Sequence, residues 1–155
     1  MKKNSTLFIF IAVLLFGACS NSGNSFSDSL SGKYHVDLSQ AKDIIEDELK
    51  VEKIPSQMLS LVLGQLNLTA EFEGNSLEVN TSESVANLLG SFTKYSLPMR
   101  FEYKIESDSL IYIKEDGGEF KKVGTLKKNG DSYDNLKFVP NSNKFNVEVV
   151  LQRDK

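Results

Sequence analysis

The sequence predicts a mainly β domain, built as an antiparallel up-and-down barrel or curled sheet of about eight strands. From residue 67 onward, apolar and polar residues alternate in short segments, which is the period of a half-buried strand. Tight-turn signals separate these segments, most clearly Asp-Gly-Gly at 116–118 and Asn-Gly-Asp at 129–131. A helix pair is expected between strands 1 and 2. A meander of this size closes most simply into a barrel.

The first strand and the helix pair follow from two different periodicities near the start of the domain. The domain opens at Gly32, and Tyr34 and Val36 then share one face of a strand. Helical spacing replaces this alternation over Ser39–Val51, where an apolar stripe lies opposite an acidic face, and again over Pro55–Leu66. The second helix is apolar nearly all round, so we expect it to be covered on more than one side.

The remaining strands follow at short spacing through the rest of the chain. We expect them at 68–73, 77–79, 101–105, 110–113, 120–126, 136–138 and 145–151. A short third helix is expected over Ser82–Leu89. The segment Leu110–Ile113 is apolar on both faces, which predicts that another element, most simply the helix pair, covers its outer side.

Large aromatic side chains dominate the face that the alternation turns inward. The candidate lining of an internal cavity is Phe72, Phe101, Tyr103, Tyr112, Phe120, Phe138 and Phe145. An eight-stranded barrel can be filled by its own side chains or can hold one small ligand. Two interpretations therefore stay open: the rings form an ordinary solid core, or they line a pocket for a lipophilic ligand.

The N-terminus has the features of an export signal. Two lysines precede an apolar run over residues 7–16, which is too short to span a bilayer permanently, and Cys19, the only cysteine, follows. This arrangement resembles a bacterial lipoprotein signal, although Phe16 stands where that motif usually has an aliphatic residue. The resemblance implies cleavage after residue 18 and a lipid on the Cys19 sulfur, with acyl chains such as palmitate that attach the protein to a membrane.

Three regions are predicted on this basis. Residues 1–18 form a signal peptide, residues 19–31 a flexible lipid-anchored tether, and residues 32–155 the barrel domain. The tether is polar and aperiodic, so it cannot bury enough apolar area to order itself. Twelve residues of flexible chain reach about 20 Å on average and at most about 40 Å. The expected location is the bacterial cell envelope, and Ser20 after the cysteine suggests the outer membrane by the rules known for enterobacteria.

Two local features of the domain resemble calycins, the superfamily of lipocalins and fatty-acid-binding proteins. Gly32 and Tyr34 occupy the place of the lipocalin Gly-x-Trp on the first strand, and Arg153 lies where calycins often have an arginine over that ring. The resemblance implies that Tyr34 and Arg153 close the barrel base by stacking. The chain has no Trp, so a tyrosine replaces it. The helix pair resembles the lid of fatty-acid-binding proteins, which have ten strands. Small lipoproteins with a lipocalin-like domain are familiar from Bacteroidetes.

Composition and charge argue against several functional classes. A net charge of −3 without a basic stripe is a poor match to nucleic acid. His35 is the only histidine and is expected to face outward, and one cysteine cannot complete a dyad or a zinc site with it. Four carboxylates fit the solvent face of the first helix, and four aspartates fall in or near turns, where Asp is favoured for its local hydrogen bonds. The sequence therefore predicts no enzyme, metal or cofactor.

The functional expectation is a lipid-anchored, non-enzymatic envelope protein that binds a small lipophilic ligand in its barrel. The ligand would enter beneath the helices Ser39–Val51 and Pro55–Leu66. The alternative is a structural or interaction lipoprotein, in which a solid barrel docks an envelope protein through its outer face or its helix pair.

Overall fold

The computed structural model describes residues 30–51, 54–92, 97–107, 109–141 and 147–155. The predicted signal peptide, the predicted lipidation site Cys19 and the candidate cavity residue Phe145 lie outside these residues. The described part contains eight strands and three helices. In chain order they are β1 (Gly32–Asp37), α1 (Lys42–Val51), α2 (Ser56–Gln65), β2 (Leu68–Glu73), β3 (Ser76–Asn80), α3 (Glu83–Phe92), β4 (Met99–Glu106), β5 (Leu110–Lys114), β6 (Lys121–Lys128), β7 (Asn135–Pro140) and β8 (Val149–Arg153).

The eight strands form one closed antiparallel barrel in which each strand pairs with its neighbours in sequence. Closure comes from β1, which pairs with β2 along one edge and with β8 along the other. The prediction of a closed barrel is thus confirmed, and the open curled sheet is not what forms. The predicted helix pair is also present between β1 and β2, as α1 and α2.

The first helix begins at Lys42, three residues later than predicted. Ser39 donates its backbone N–H to the Asp37 carboxylate at 2.9 Å, and Ala41 donates to the carbonyl of Leu38 at 2.9 Å. These bonds shape a turn between β1 and the helix. Short polar side chains commonly compete with helix formation in this way.

The antiparallel order gives the barrel two different ends. At the end that we call the helix end, β1 connects to β2 through α1 and α2, and β3 connects to β4 through α3. At the opposite end, which we call the turn end, β2 connects to β3 through Gly74 and Asn75, and β6 connects to β7 through residues 129–134. Gly74 has a φ of 59°, a conformation that glycine adopts without steric cost. All three described helices therefore lie at one end.

One glycine inside the barrel wall is required by close packing. The register of β5 against β6 shifts between Ile111 and Tyr112, so the wall carries a bulge there. Gly124, opposite Ile111, lies directly under the ring of Phe138. A Cβ atom at position 124 would lie 2.6 Å from Cε2 of that ring and would also collide with the carbonyl oxygen of Val139. No residue with a side chain fits without rearrangement.

Candidate functional site

Tyr34 and Arg153 lie together where the barrel closes. The register of β1 against β8 makes them direct cross-strand partners. The guanidinium carbon of Arg153 lies 5.3 Å from the centroid of the Tyr34 ring, within the range of a cation–π contact. Its Nε also donates a hydrogen bond to the Tyr34 hydroxyl at 3.2 Å. The Tyr34 hydroxyl in turn donates to the carbonyl of Tyr133 at 3.0 Å.

The same arginine joins three separate parts of the turn end. Its Nη2 donates to the carbonyl of Ser31 at 2.6 Å, and its Nη1 lies 3.7 Å from the carboxylate of Asp134. It therefore links the chain entering the barrel, the first strand and the loop between β6 and β7. Burial raises the pKa of Tyr34, while the hydrogen bond from Arg153 acts in the opposite direction. The phenol keeps its proton at neutral pH and can donate it.

A stack of three rings fills the turn end of the interior. Tyr34 and Phe72 meet edge to face with centroids 5.6 Å apart, and Phe72 meets Tyr103 in the same manner at 5.1 Å. Aromatic rings prefer this geometry to a face-to-face sandwich. Tyr103 donates its hydroxyl to the carbonyl of Leu30 at 3.4 Å, which ties the stack to the incoming chain. This half of the barrel is packed by its own side chains.

An apolar cavity of about 60 Å³ lies in the barrel interior, beyond this stack. It is lined by Val36, Leu68, Ala70, Phe72, Leu77, Val79, Ile111, Leu126, Phe138, Val149 and Leu151. Each of these described side chains is apolar, so the cavity offers no hydrogen-bonding side chain to water. One water needs about 10–15 Å³ by the same measure, so the space suits about four to six groups of that size.

A second, more open groove of about 300 Å³ lies between the end of β1 and the helices α1 and α2. It is lined by Val36, Asp37, Leu38, Ser39, Lys42, Ile45, Leu63 and Leu66. Val36 lines both spaces, so the groove and the cavity meet at one residue. Hydrogen bonds from the Ser39 backbone N–H and side chain hold the pKa of the Asp37 carboxyl below its usual value. The groove beneath the helix pair thus combines three polar lining residues, Asp37, Ser39 and Lys42, with five apolar ones, and it adjoins the apolar cavity at Val36.

Four of the candidate lining residues lie inside the barrel. Phe72 and Phe138 line the cavity. Phe101 and Tyr103 are buried in the core but do not belong to the cavity lining described above. The sequence thus placed these four rings on the inner face of their strands, and two of the four line the cavity.

Tyr112 does not line the interior, in contrast to the sequence prediction. Ile111 lines the cavity and Ile113 belongs to the buried core, so the alternation of β5 turns Tyr112 to the outside. The residue is nevertheless only 3 % exposed. The ammonium of Lys104 on the neighbouring strand lies 5.2 Å from its ring centroid. A side chain of β4 therefore covers part of the outer side of this strand. The sequence suggested that the helix pair would cover it.

Phe120 is a second correction to the predicted lining. It precedes the first residue of β6, its exposure is 36 %, and it lies on the outer surface. The ammonium groups of Lys104 and Lys114 lie 4.8 Å and 5.4 Å from its ring centroid. Two cations over one ring hold Phe120 against the outside of the wall, where it cannot reach a ligand in the interior.

The aliphatic lining is the part that sequence reasoning missed. Val36, Leu68 and Val79 line the cavity, whereas the predicted lining consisted of large rings alone. The signal was present in the strand alternation, which already turned Leu68 and Val79 inward. Nine of the eleven lining side chains are aliphatic, so the smaller residues form most of the candidate site.

Titratable groups in the described residues form no obvious reaction centre. His35 lies on the outer face of β1 with its Nε2 2.5 Å from the carboxylate of Asp154, and about half of its side chain is exposed. Across the described ranges, no three His, Cys, Asp or Glu side chains are grouped closely enough to hold a metal ion. None of the helices described is both long enough and apolar enough to cross a membrane. No protein-family model, curated protein or solved structure matches this chain.

Proposed function

We propose that the protein is a lipid-anchored, non-enzymatic protein of the bacterial cell envelope that holds a small apolar ligand in a lipocalin-like barrel. One observation carries the ligand proposal: a closed barrel contains an entirely apolar cavity that meets a groove beneath the helix pair. Binding sites for small molecules are typically concave, mostly apolar and largely preformed. The N-terminal lipoprotein-like signal supports the anchor.

The size of the cavity limits the ligand. Four to six methylene-sized groups, at about 0.8 kcal/mol each, contribute about 3–5 kcal/mol on burial. A binding free energy of about 4 kcal/mol corresponds to a dissociation constant near 1 mM. The cavity therefore suits a compact apolar moiety, such as a short branched chain or a single ring. Further affinity has to come from the part of the ligand that lies in the groove.

Native mass spectrometry tests the ligand proposal directly. The full chain carrying Cys19→Ser is incubated with an extract of bacterial lipids, and a bound species of defined mass is expected. Ala70→Leu extends a side chain into the cavity and should abolish binding. Thr69→Leu adds similar bulk next to it in the same strand, on the opposite face, and should leave binding intact. Absence of any bound species, or equal binding by both variants, would contradict the proposal.

The lipid anchor requires a separate experiment. Cells expressing the natural chain are labelled with a palmitate analogue and fractionated, and the label is expected on the membrane-bound protein. Cys19→Ser should remove the label and release the protein from the membrane fraction. If the natural chain carries no label, the anchor is refuted while the ligand proposal stands.

An interaction protein is the second candidate, because α2 exposes apolar side chains. Met58 and Leu61 are 41 % and 46 % exposed on this helix. Exposed apolar groups that form a contiguous patch commonly mark a contact surface. A photo-crosslinker at Met58 in intact cells should then capture one repeated envelope protein, and Leu61→Lys should abolish that crosslink. Absence of a specific crosslink would leave the ligand-binding function as the better explanation.

A further inference from the structure

The point at which the N-terminal segment joins the barrel is fixed at the turn end. Leu30 is only 2 % exposed, and its carbonyl accepts a hydrogen bond from the Tyr103 hydroxyl. The next residue, Ser31, accepts a hydrogen bond from Arg153 at 2.6 Å. Leu30, the first described residue, therefore lies on the side opposite the three described helices.

The length of the preceding segment limits how the domain can stand on a membrane. Ten residues separate Cys19 from Leu30, and even fully extended they span at most about 36–40 Å. Strands of six to eight residues, tilted by about 40°, make a wall about 15–20 Å tall. The helices add about 10 Å. To place the helix end on the bilayer, this segment has to cover about 25–30 Å along the side of the barrel, whereas a flexible chain of this length reaches only about 20 Å on average.

We propose that the turn end of the anchored protein faces the bilayer, so that the helix end, the groove and the cavity face away from it. This inference rests on the lipid anchor of the proposed function. Because the groove then faces away from the bilayer, ligand is exchanged with the aqueous side of the envelope or with another protein. The bilayer that holds the anchor does not deliver ligand directly to the groove.

Site-specific fluorescence quenching tests this orientation. The lipidated full chain is purified from membranes and reconstituted in vesicles of equal parts phosphatidylethanolamine and phosphatidylglycerol that contain a headgroup-attached quencher. One fluorophore is placed at Met58→Cys on the helix end, and in a matched protein at Asp131→Cys on the turn end; both positions are exposed. We expect several-fold stronger quenching at position 131. Duplicating residues 20–29 doubles the reach of the segment and should reduce that contrast.

The outcomes separate the two claims. Protein that is not retained by the vesicles would overturn the anchor, and the orientation would fall with it. Retained protein with equal quenching at both positions, or with stronger quenching at position 58, would overturn the orientation alone. The contrast should persist in high salt, because it arises from the attachment point of the chain; a contrast that vanishes in high salt would overturn this argument.

Discussion

Replacing Arg153 by alanine removes the group that joins the first strand, the last strand and the incoming chain. Two charge-assisted hydrogen bonds are lost, to the Tyr34 hydroxyl at 3.2 Å and to the Ser31 carbonyl at 2.6 Å. The cation–π contact at 5.3 Å is lost with them. A hydrogen bond to a charged group contributes about 1.5–3 kcal/mol when buried, and an exposed cation–π contact about 0.5–1 kcal/mol.

The Arg153 side chain is 30 % exposed, so solvent weakens each of these contacts. We therefore expect Arg153→Ala to lower the free energy of unfolding by about 2–3 kcal/mol. With a urea dependence near 2 kcal/mol per molar, the unfolding midpoint should fall by about 1–1.5 M. The measurement is urea unfolding of the Cys19→Ser chain, followed by circular dichroism and by tyrosine fluorescence.

Arg100, the only other arginine in the chain, supplies the matched control. It pairs with Glu78 on the outer wall and its side chain is 74 % exposed. Because exposed ion pairs contribute little, Arg100→Ala should leave the midpoint almost unchanged. Equal midpoints for the two alanine variants would refute the argument that the arginine at the seam holds the barrel closed.

Two further predictions concern backbone packing and pH. Gly124→Ala should destabilise the protein by about 1–3 kcal/mol because its Cβ would collide with the Phe138 ring, whereas Gly90→Ala, in an open position on α3, should stabilise it by about 0.5–1 kcal/mol. If both glycine variants changed the free energy of unfolding in urea in the same direction, this packing argument would be contradicted. The pKa of Tyr34 is raised in the folded state, so the folded chain holds that proton more tightly and stability should fall as pH rises above about 10. Tyr34→Phe should flatten this part of a stability-versus-pH curve, and an unchanged slope would show that another group titrates there.

The strand pattern was readable from the sequence because one face of each strand is buried. In such a strand, a shift by one residue would expose the whole apolar set, so alternation specifies the facing. The prediction was wrong where this condition fails. Tyr112 lies in a run that is apolar on both faces, so periodicity could not assign its side. Phe120 precedes β6, and the alternation had been extended beyond the start of that strand.

The candidate site was likewise predictable from the sequence only in part. The two residues that meet at the seam, Tyr34 and Arg153, could be named because the first and last strands resemble those of calycins, and the structure places the two residues in contact. The cavity could not be located, because its position depends on which rings stack on one another. Tyr34, Phe72 and Tyr103 stack on one another, and nine of the eleven side chains around the remaining space are aliphatic.

The sequence by itself determined the strands, the helix pair and the two side chains that meet at the seam. Each of these features depends on residues that lie close together in the sequence or on a short local motif, so it can be recognised without the fold. Tertiary structure alone decided where the interior is solid, where it is hollow, and which end receives the N-terminal chain. Those properties depend on how side chains that lie far apart in sequence pack against one another. The pattern within a single strand does not report that packing.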